Sequence, residues 1–239
     1  MTVAQKLIGL QRGFSPLSIT GLVAWYDFSD AASLFTDTAR TTPVASDTDV
    51  IKGVTDKSGN AKHLSEATNG PAYKLALQNG KSGALFDGTN DLLTSAAITQ
   101  AQPNTILLVG RIVVDEAGSS TELVDGTGSR QIIYKDVSSA KWSFYAGTAI
   151  TAGNITADTS YHVHYVVFNG ASSVYRLDRA AEFASVNPNT GSLSPIVFGT
   201  DATRFYNTEI GEFLMYNSAL SSTDRDSLEA ALKAKWGTP

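Results

Sequence analysis

From Leu22 onward, short runs rich in Val, Ile, Leu, Tyr and Phe alternate with brief polar interruptions. The runs cover 22–28, 106–114, 131–134, 141–145, 161–168, 173–177, 196–198 and 209–216. Between many of them stand Asn69-Gly70, Asn79-Gly80, Asp87-Gly88, Asp125-Gly126 and Asn169-Gly170. Glycine accepts positive φ at low cost and Asn or Asp tolerates it, so tight reversals concentrate at such pairs. Many short strands with frequent turns predict an all-β sandwich or barrel. The period of two is clearest in 161–168. There Tyr161, Val163, Tyr165 and Val167 share one face, expected to point inward, and His162 and His164 begin the other.

Both ends depart from this pattern. In residues 1–20, Val3, Leu7 and Leu10 fall at helical spacing, and Phe14-Ser15-Pro16-Leu17 then breaks any helix. This reads as an N-terminal arm outside a single domain spanning 21–239. At the other end Ser221 can cap a helix, with Leu228, Ala231, Leu232 and Lys235 on one face. Lys233 and Lys235 suit the last turn, and Gly237 and Pro239 stop it.

Four segments, in order, resemble the concanavalin A-like lectin/glucanase superfamily in its laminin-G-like jelly-roll branch. Gly21-Leu22-Val23-Ala24-Trp25-Tyr26-Asp27 is similar to the opening strand. Asp56-Lys57-Ser58-Gly59-Asn60, followed by Leu64, resembles a characteristic turn of that branch. Phe86-Asp87-Gly88-Thr89-Asn90-Asp91-Leu92-Leu93 resembles a third segment. Gly211-Glu212-Phe213-Leu214-Met215-Tyr216-Asn217, then Leu220-Ser221 and a helix ending at Lys235-Trp236-Gly237, resembles the close. The resemblance implies a two-sheet antiparallel β-sandwich of concanavalin A-like jelly-roll type, with a short C-terminal helix. It constrains function loosely, because lectins, adhesion modules, glucanases and passive scaffolds share the fold. The start, Phe14-Ser15-Pro16-Leu17-Ser18-Ile19, resembles jelly-roll proteins among phage structural genes.

Composition narrows the picture. Apolar residues make up 42% of 239, enough for a sizeable core without disulfides, and there is no cysteine. The net charge is -5 and the 18 basic residues form no run, so the footprint that neutralises phosphate is missing and nucleic acid is not an expected partner. The run 106–114 is interrupted by Gly110 and Arg111, well short of the ~18 apolar residues of a membrane span. The segment 7–11 is too short for the apolar part of a signal peptide.

Candidate chemistry is sparse. Glycoside hydrolysis needs two carboxylates at a set separation. The nearest approach is Glu209-Ile210-Gly211-Glu212, whose three-residue spacing puts the acids on opposite faces of a regular strand. His162 and His164 lack the third ligand that a zinc site needs. Calcium is the more serious metal: Asp56 and Asn60, and Asp87 and Asp91, lie in oxygen-rich turns that could supply ligands. Sugar binding needs exposed aromatics beside polar groups, and Trp142, Tyr145, Tyr175 and Tyr206 are the candidates, with Tyr134 behind them.

The resulting expectation is a non-catalytic virion surface protein, a capsid decoration or tail-associated component. Its arm would dock to other virion proteins, and its lectin-like domain would meet a cell-surface glycan. The alternative is a bacterial extracellular carbohydrate-binding module, with a glycoside hydrolase behind it. Weak edge strands and an apolar arm leave a homo-oligomer open.

Overall fold

The computed structural model describes residues 14–115 and 118–239. Among these, the first strands are β1 (Leu22–Asp27), β2 (Leu34–Phe35), β3 (Gly53–Val54), β4 (Leu64–Ser65), β5 (Ala72–Gln78) and β6 (Lys81–Asp87). Next come β7 (Leu93–Ser95), β8 (Asn104–Ile112), β9 (Thr121–Val124), β10 (Ile132–Lys135), β11 (Lys141–Tyr145) and β12 (Ala149–Thr156). The last are β13 (His162–Phe168), β14 (Ser173–Leu177), β15 (Phe183–Val186), β16 (Val197–Phe198) and β17 (Asn207–Tyr216), followed by helix α1 (Ser222–Trp236). The strand runs read from the sequence all fall on these elements.

The fold is an antiparallel β-sandwich. One layer is a single sheet in the order β15-β14-β13-β8-β17-β6-β5. Strand β17 is its axis: its first half pairs with β6, its second half with β1, and its whole length with β8. The facing layer is split into β12-β11-β10-β9 and β16-β7-β4-β3-β2. The two halves are stitched by reciprocal backbone bonds between Asp125 and Val197, at 3.0 and 2.8 Å.

The main core lies between the layers. Tyr26 stacks on Phe213 at 5.8 Å, and Phe198 meets Phe213 edge-on at 5.4 Å. Such aromatics each bury about 150–250 Å² and dominate the energetics of a sandwich core. A second cluster lies on the outer face of the large sheet. There Leu107, Val109, Val163, Tyr165, Val167 and Leu214 meet Leu228, Leu232 and Trp236 of α1.

This second cluster corrects the orientation expected for β13. Its Tyr/Val face lies under the helix, while Val166 and Phe168, on the histidine face, belong to the inter-sheet core. Both faces are buried, so alternation alone could not say which layer each one met.

The helix ends follow the sequence. Ser221 Oγ accepts the Asp224 N–H at 3.2 Å, and Gly237 closes the helix at φ 62°. Of the arm, residues 1–13 lie outside the described residues, and with them the expected contact to virion partners. Residues 14–20 rest on the domain: Phe14 and Ile19 pack against the helix-side cluster, and Tyr216 donates its hydroxyl to Pro16 O at 3.0 Å.

Candidate functional site

The aromatics singled out in the sequence divide by strand parity. Trp142, Phe144 and Tyr175 point between the layers and are fully buried, so Trp142 and Tyr175 present no face to a ligand. The Tyr175 hydroxyl and His164 Nδ1 share a hydrogen bond at 2.9 Å, and Trp142 lies edge-on to the same imidazole at 4.5 Å. Tyr145 has the opposite parity on β11 and is half-buried, opposite Ile132. Tyr206 lines an open pocket.

That pocket, about 400 Å³, sits at one end of the sandwich, where β6 and β8 finish and β17 begins. Asp87, Val114, Ser119, Thr203, Phe205 and Asn207 contribute to its wall. Asp87 and Asn207 face each other across the β6–β17 ladder. The loop from Gly199 to Tyr206 forms one side. Gly199 has φ 84°, and a Cβ there would meet Asp91 O at 2.4 Å and the Phe86 ring at 2.4 Å, so glycine is required.

Asp201 organises this loop. Its Oδ1 accepts the N–H groups of Thr203 (2.8 Å) and Arg204 (2.7 Å) and the Thr203 hydroxyl (2.7 Å). Its Oδ2 accepts Arg204 Nη2 (3.0 Å) and the Tyr206 hydroxyl (2.9 Å). Burial works to raise the Asp201 carboxyl, but these bonds carry it well below the usual carboxylate range. The loop is therefore fixed, and it holds Phe205 outward, 39% exposed, beside the partly bare Val114. An apolar ring next to convergent, pre-oriented polar groups is the usual make-up of a small-ligand site.

Behind the pocket lies a compact ion cluster. Arg130 Nη2 reaches Glu122 Oε1 at 3.1 Å and Asp125 Oδ2 at 2.5 Å. Burial, and then the charge of Asp125, push the Glu122 carboxyl up to about 8, despite the attraction of Arg130. Asp125 is 1% exposed and also accepts the Gly126 N–H at 2.6 Å. The Glu122–Asp125 pair is closed around one guanidinium.

The acids of β17 differ from the sequence expectation. A register shift between Ile210 and Glu212 lets Gly211 bulge, and a Cβ on Gly211 would lie 2.6 Å from the Trp236 ring. The bulge cancels one alternation, so Glu209 and Glu212 both lie on the helix-covered face rather than on opposite faces. Glu209 is gripped by Arg111 at 2.6 and 3.1 Å. Glu212 accepts the indole N–H of Trp25 at 2.8 Å and that of Trp236 at 3.0 Å, and binds Lys235 at 2.7 Å. Burial and the neighbouring Asp27 raise the Glu212 carboxyl.

The oxygen-rich turns are held by their own backbone. Asp56 accepts the N–H groups of Trp25 (3.0 Å), Ser58 (2.9 Å) and Lys62 (2.9 Å), and Asn60 donates to Leu22 O at 2.8 Å. Asp87 accepts the Thr89 N–H at 2.7 Å, and Asp91 accepts the Asp87 N–H at 2.9 Å. Among the described residues no three His, Asp or Glu side chains converge on one point. Phe205, Arg204 and Asp201 went unnoticed in the sequence. The only signal there was a short acidic–threonine turn running into an aromatic pair, which is common in loops.

No protein-family model matches the chain, and no curated protein matches it in sequence. Solved structures do resemble it in fold. Domain 4 of AbnA, a GH43 extracellular arabinanase from Geobacillus stearothermophilus solved with arabinotriose, aligns with a TM-score of 0.63 at 11% identity. That alignment covers 87% of this chain and 98% of the other. A GH54 α-L-arabinofuranosidase mutant gives 0.63 at 13% identity, covering 90% of this chain and 63% of that one. Trypanosoma rangeli sialidase gives 0.61 at 12% identity, covering 90% of this chain and 33% of the sialidase. What these likenesses establish is the architecture: the chain is a β-sandwich of the kind built into glycoside hydrolases and sialidases.

Proposed function

We propose that this chain is a non-catalytic carbohydrate-recognition domain of the concanavalin A-like type, taking a saccharide in the rim pocket at the start of β17. The reading is carried by Phe205, an exposed ring that a rigid loop presents beside Asp87, Arg204 and Asn207. A sugar offers an apolar face of C–H groups for a ring and an edge of hydroxyls for such polar partners, so the two halves of the pocket wall suit the two halves of the ligand. The likeness to an arabinanase domain solved with arabinotriose supports the same class of ligand.

The non-catalytic reading is supported by the acids that spacing and the Arg130 cluster bring forward, which are already committed. Glu209 is held by Arg111, Glu212 by two indoles and Lys235, and Glu122 with Asp125 by Arg130. Isothermal titration of the chain against neutral oligosaccharides, arabinotriose included, tests the proposal. Saturable binding that Phe205→Ala abolishes supports it, and no binding across the series overturns it.

A further inference from the structure

We propose that the rim pocket discriminates by charge, accepting neutral or amino-bearing saccharides and rejecting acidic ones, with Asp87 setting that preference. The inference rests on the saccharide reading above and adds the electrical character of the ligand.

The argument begins with Arg204, the cation of the pocket wall. An arginine in a sugar pocket ordinarily invites a carboxylate, because its fork matches one bidentately. Here one edge of the fork is already taken by a carboxylate. Arg204 gives Nε and Nη2 to Asp201 Oδ2 at 3.3 and 3.0 Å, and its guanidinium lies 5.7 Å from the Tyr206 ring centre. The next guanidinium inward, Arg130, is bound by Asp125 and Glu122. Each guanidinium thus has a carboxylate against it, so neither adds net positive charge to the wall.

The negative side is not compensated in the same way. Asp87 lines the pocket and is exposed. Its Oδ1 accepts the Thr89 N–H, and no described residue donates to its Oδ2. Asp91, tied to the Asp87 backbone, has its carboxyl lifted by burial to about 6, so it too is charged at neutral pH. Asp87 thus adds an uncompensated carboxylate to a wall whose one arginine is matched by Asp201. Asp87 is exposed, so its field reaches an entering ligand and is screened by salt. A sugar hydroxyl can donate to the vacant oxygen of Asp87 in a charge-assisted bond, and an ammonium can pair with it. A uronate or sialate carboxylate at the same point meets repulsion worth about tenfold in affinity.

The test is titration calorimetry on the full chain at neutral pH with trisaccharides of three charges. The neutral probes are arabinotriose, xylotriose and the N-acetylglucosamine trimer; the cationic probe is the glucosamine trimer; the acidic probes are the galacturonic acid trimer and sialyllactose. The best neutral or cationic probe should bind about tenfold or more tighter than either acidic one. That gap should shrink between about 20 mM and about 300 mM NaCl, as charges become screened. Asp87→Asn keeps an acceptor for the Thr89 N–H and removes the charge, and it should bring the acidic probes close to the neutral ones. An acidic probe that binds as tightly as the best neutral one overturns the inference while leaving saccharide recognition standing. So does a gap that neither salt nor Asp87→Asn changes. If no probe binds at all, the saccharide reading falls and takes this inference with it.

Discussion

Trp236, at the last turn of the C-terminal helix, donates its indole N–H to the buried carboxylate of Glu212 on β17 at 3.0 Å. The other oxygen of that carboxylate takes the indole of Trp25 on β1 at 2.8 Å, so one acid ties the first strand, the central strand and the helix together. Glu212→Leu leaves two indole donors without their acceptor and Lys235 with only Asp27, and should cost about 3–5 kcal/mol. Glu212→Gln, which retains one acceptor oxygen, should cost less. Urea unfolding of the two variants measures both, and equal losses would mean that the carboxylate is not the tie.

The bulge beside it makes a second prediction. Gly211 faces the Trp236 ring, with the positions nearest an added Cβ at 2.6 and 2.8 Å. Trp236 is fully buried and cannot swing away. Gly211→Ala should therefore destabilise the protein by about 1–3 kcal/mol through overpacking. An unchanged thermal midpoint would show that the ring has room to move.

At the pocket, Phe205 reaches outward from a loop whose bonds run through Asp201 rather than through the ring. Phe205→Ala should lower saccharide affinity about tenfold or more, with the thermal midpoint unchanged. A loss of stability comparable to the loss of binding would assign the ring to structure.

The buried Glu122 gives a pH dependence. Its carboxyl is raised from an ordinary 4.5 to about 8, by burial first and by Asp125 second. The folded state therefore holds this proton more tightly than the unfolded chain does. The stability this provides is complete below about 4.5 and is lost as pH climbs through about 8. Glu122→Gln should flatten the fall in unfolding free energy between those limits. An identical slope in both proteins would place the proton elsewhere.

The two histidines of β13 should titrate in opposite senses. Burial pulls His162 down, but hydrogen bonds from its ring to the Asp178 and Asp158 carboxylates outweigh it and raise the ring above 6.5. Its contribution to stability is present below 6.5 and lost as pH rises through the raised value. Burial, and then the neighbouring His162, drive His164 well below 6.5. Its contribution is present above 6.5 and lost as pH falls through the depressed value. Imidazole shifts followed by NMR should show His162 still protonated where a free histidine is half-titrated, and His164 neutral throughout.

The fold was readable because its strands, turns and closing helix each carry a local pattern. Asn-Gly and Asp-Gly pairs marked reversals, and Ser221 and Gly237 marked the helix ends. What could not be read was which buried layer a given strand face met. In β13 both faces are apolar enough for a core, and only the helix laid over the large sheet separates them. For the same reason Trp142 and Tyr175 resembled binding aromatics: a strand aromatic has the same sequence signature whether it faces a ligand or a second sheet. The acids of β17 were assigned to opposite faces because a glycine bulge is invisible to counting. Phe205 escaped notice because its exposure depends on the network around Asp201, and that network exists only once the loop has closed.

The ten residues of β17 run from Asn207, in the pocket wall, to Tyr216, whose hydroxyl holds the incoming chain at Pro16. At the usual rise per residue, that strand is a rigid spacer of about 30 Å. Pro16 is thereby kept about a full strand length from the mouth of the pocket. A fluorophore or surface tether placed at the exposed Leu17 would leave the opening unobstructed.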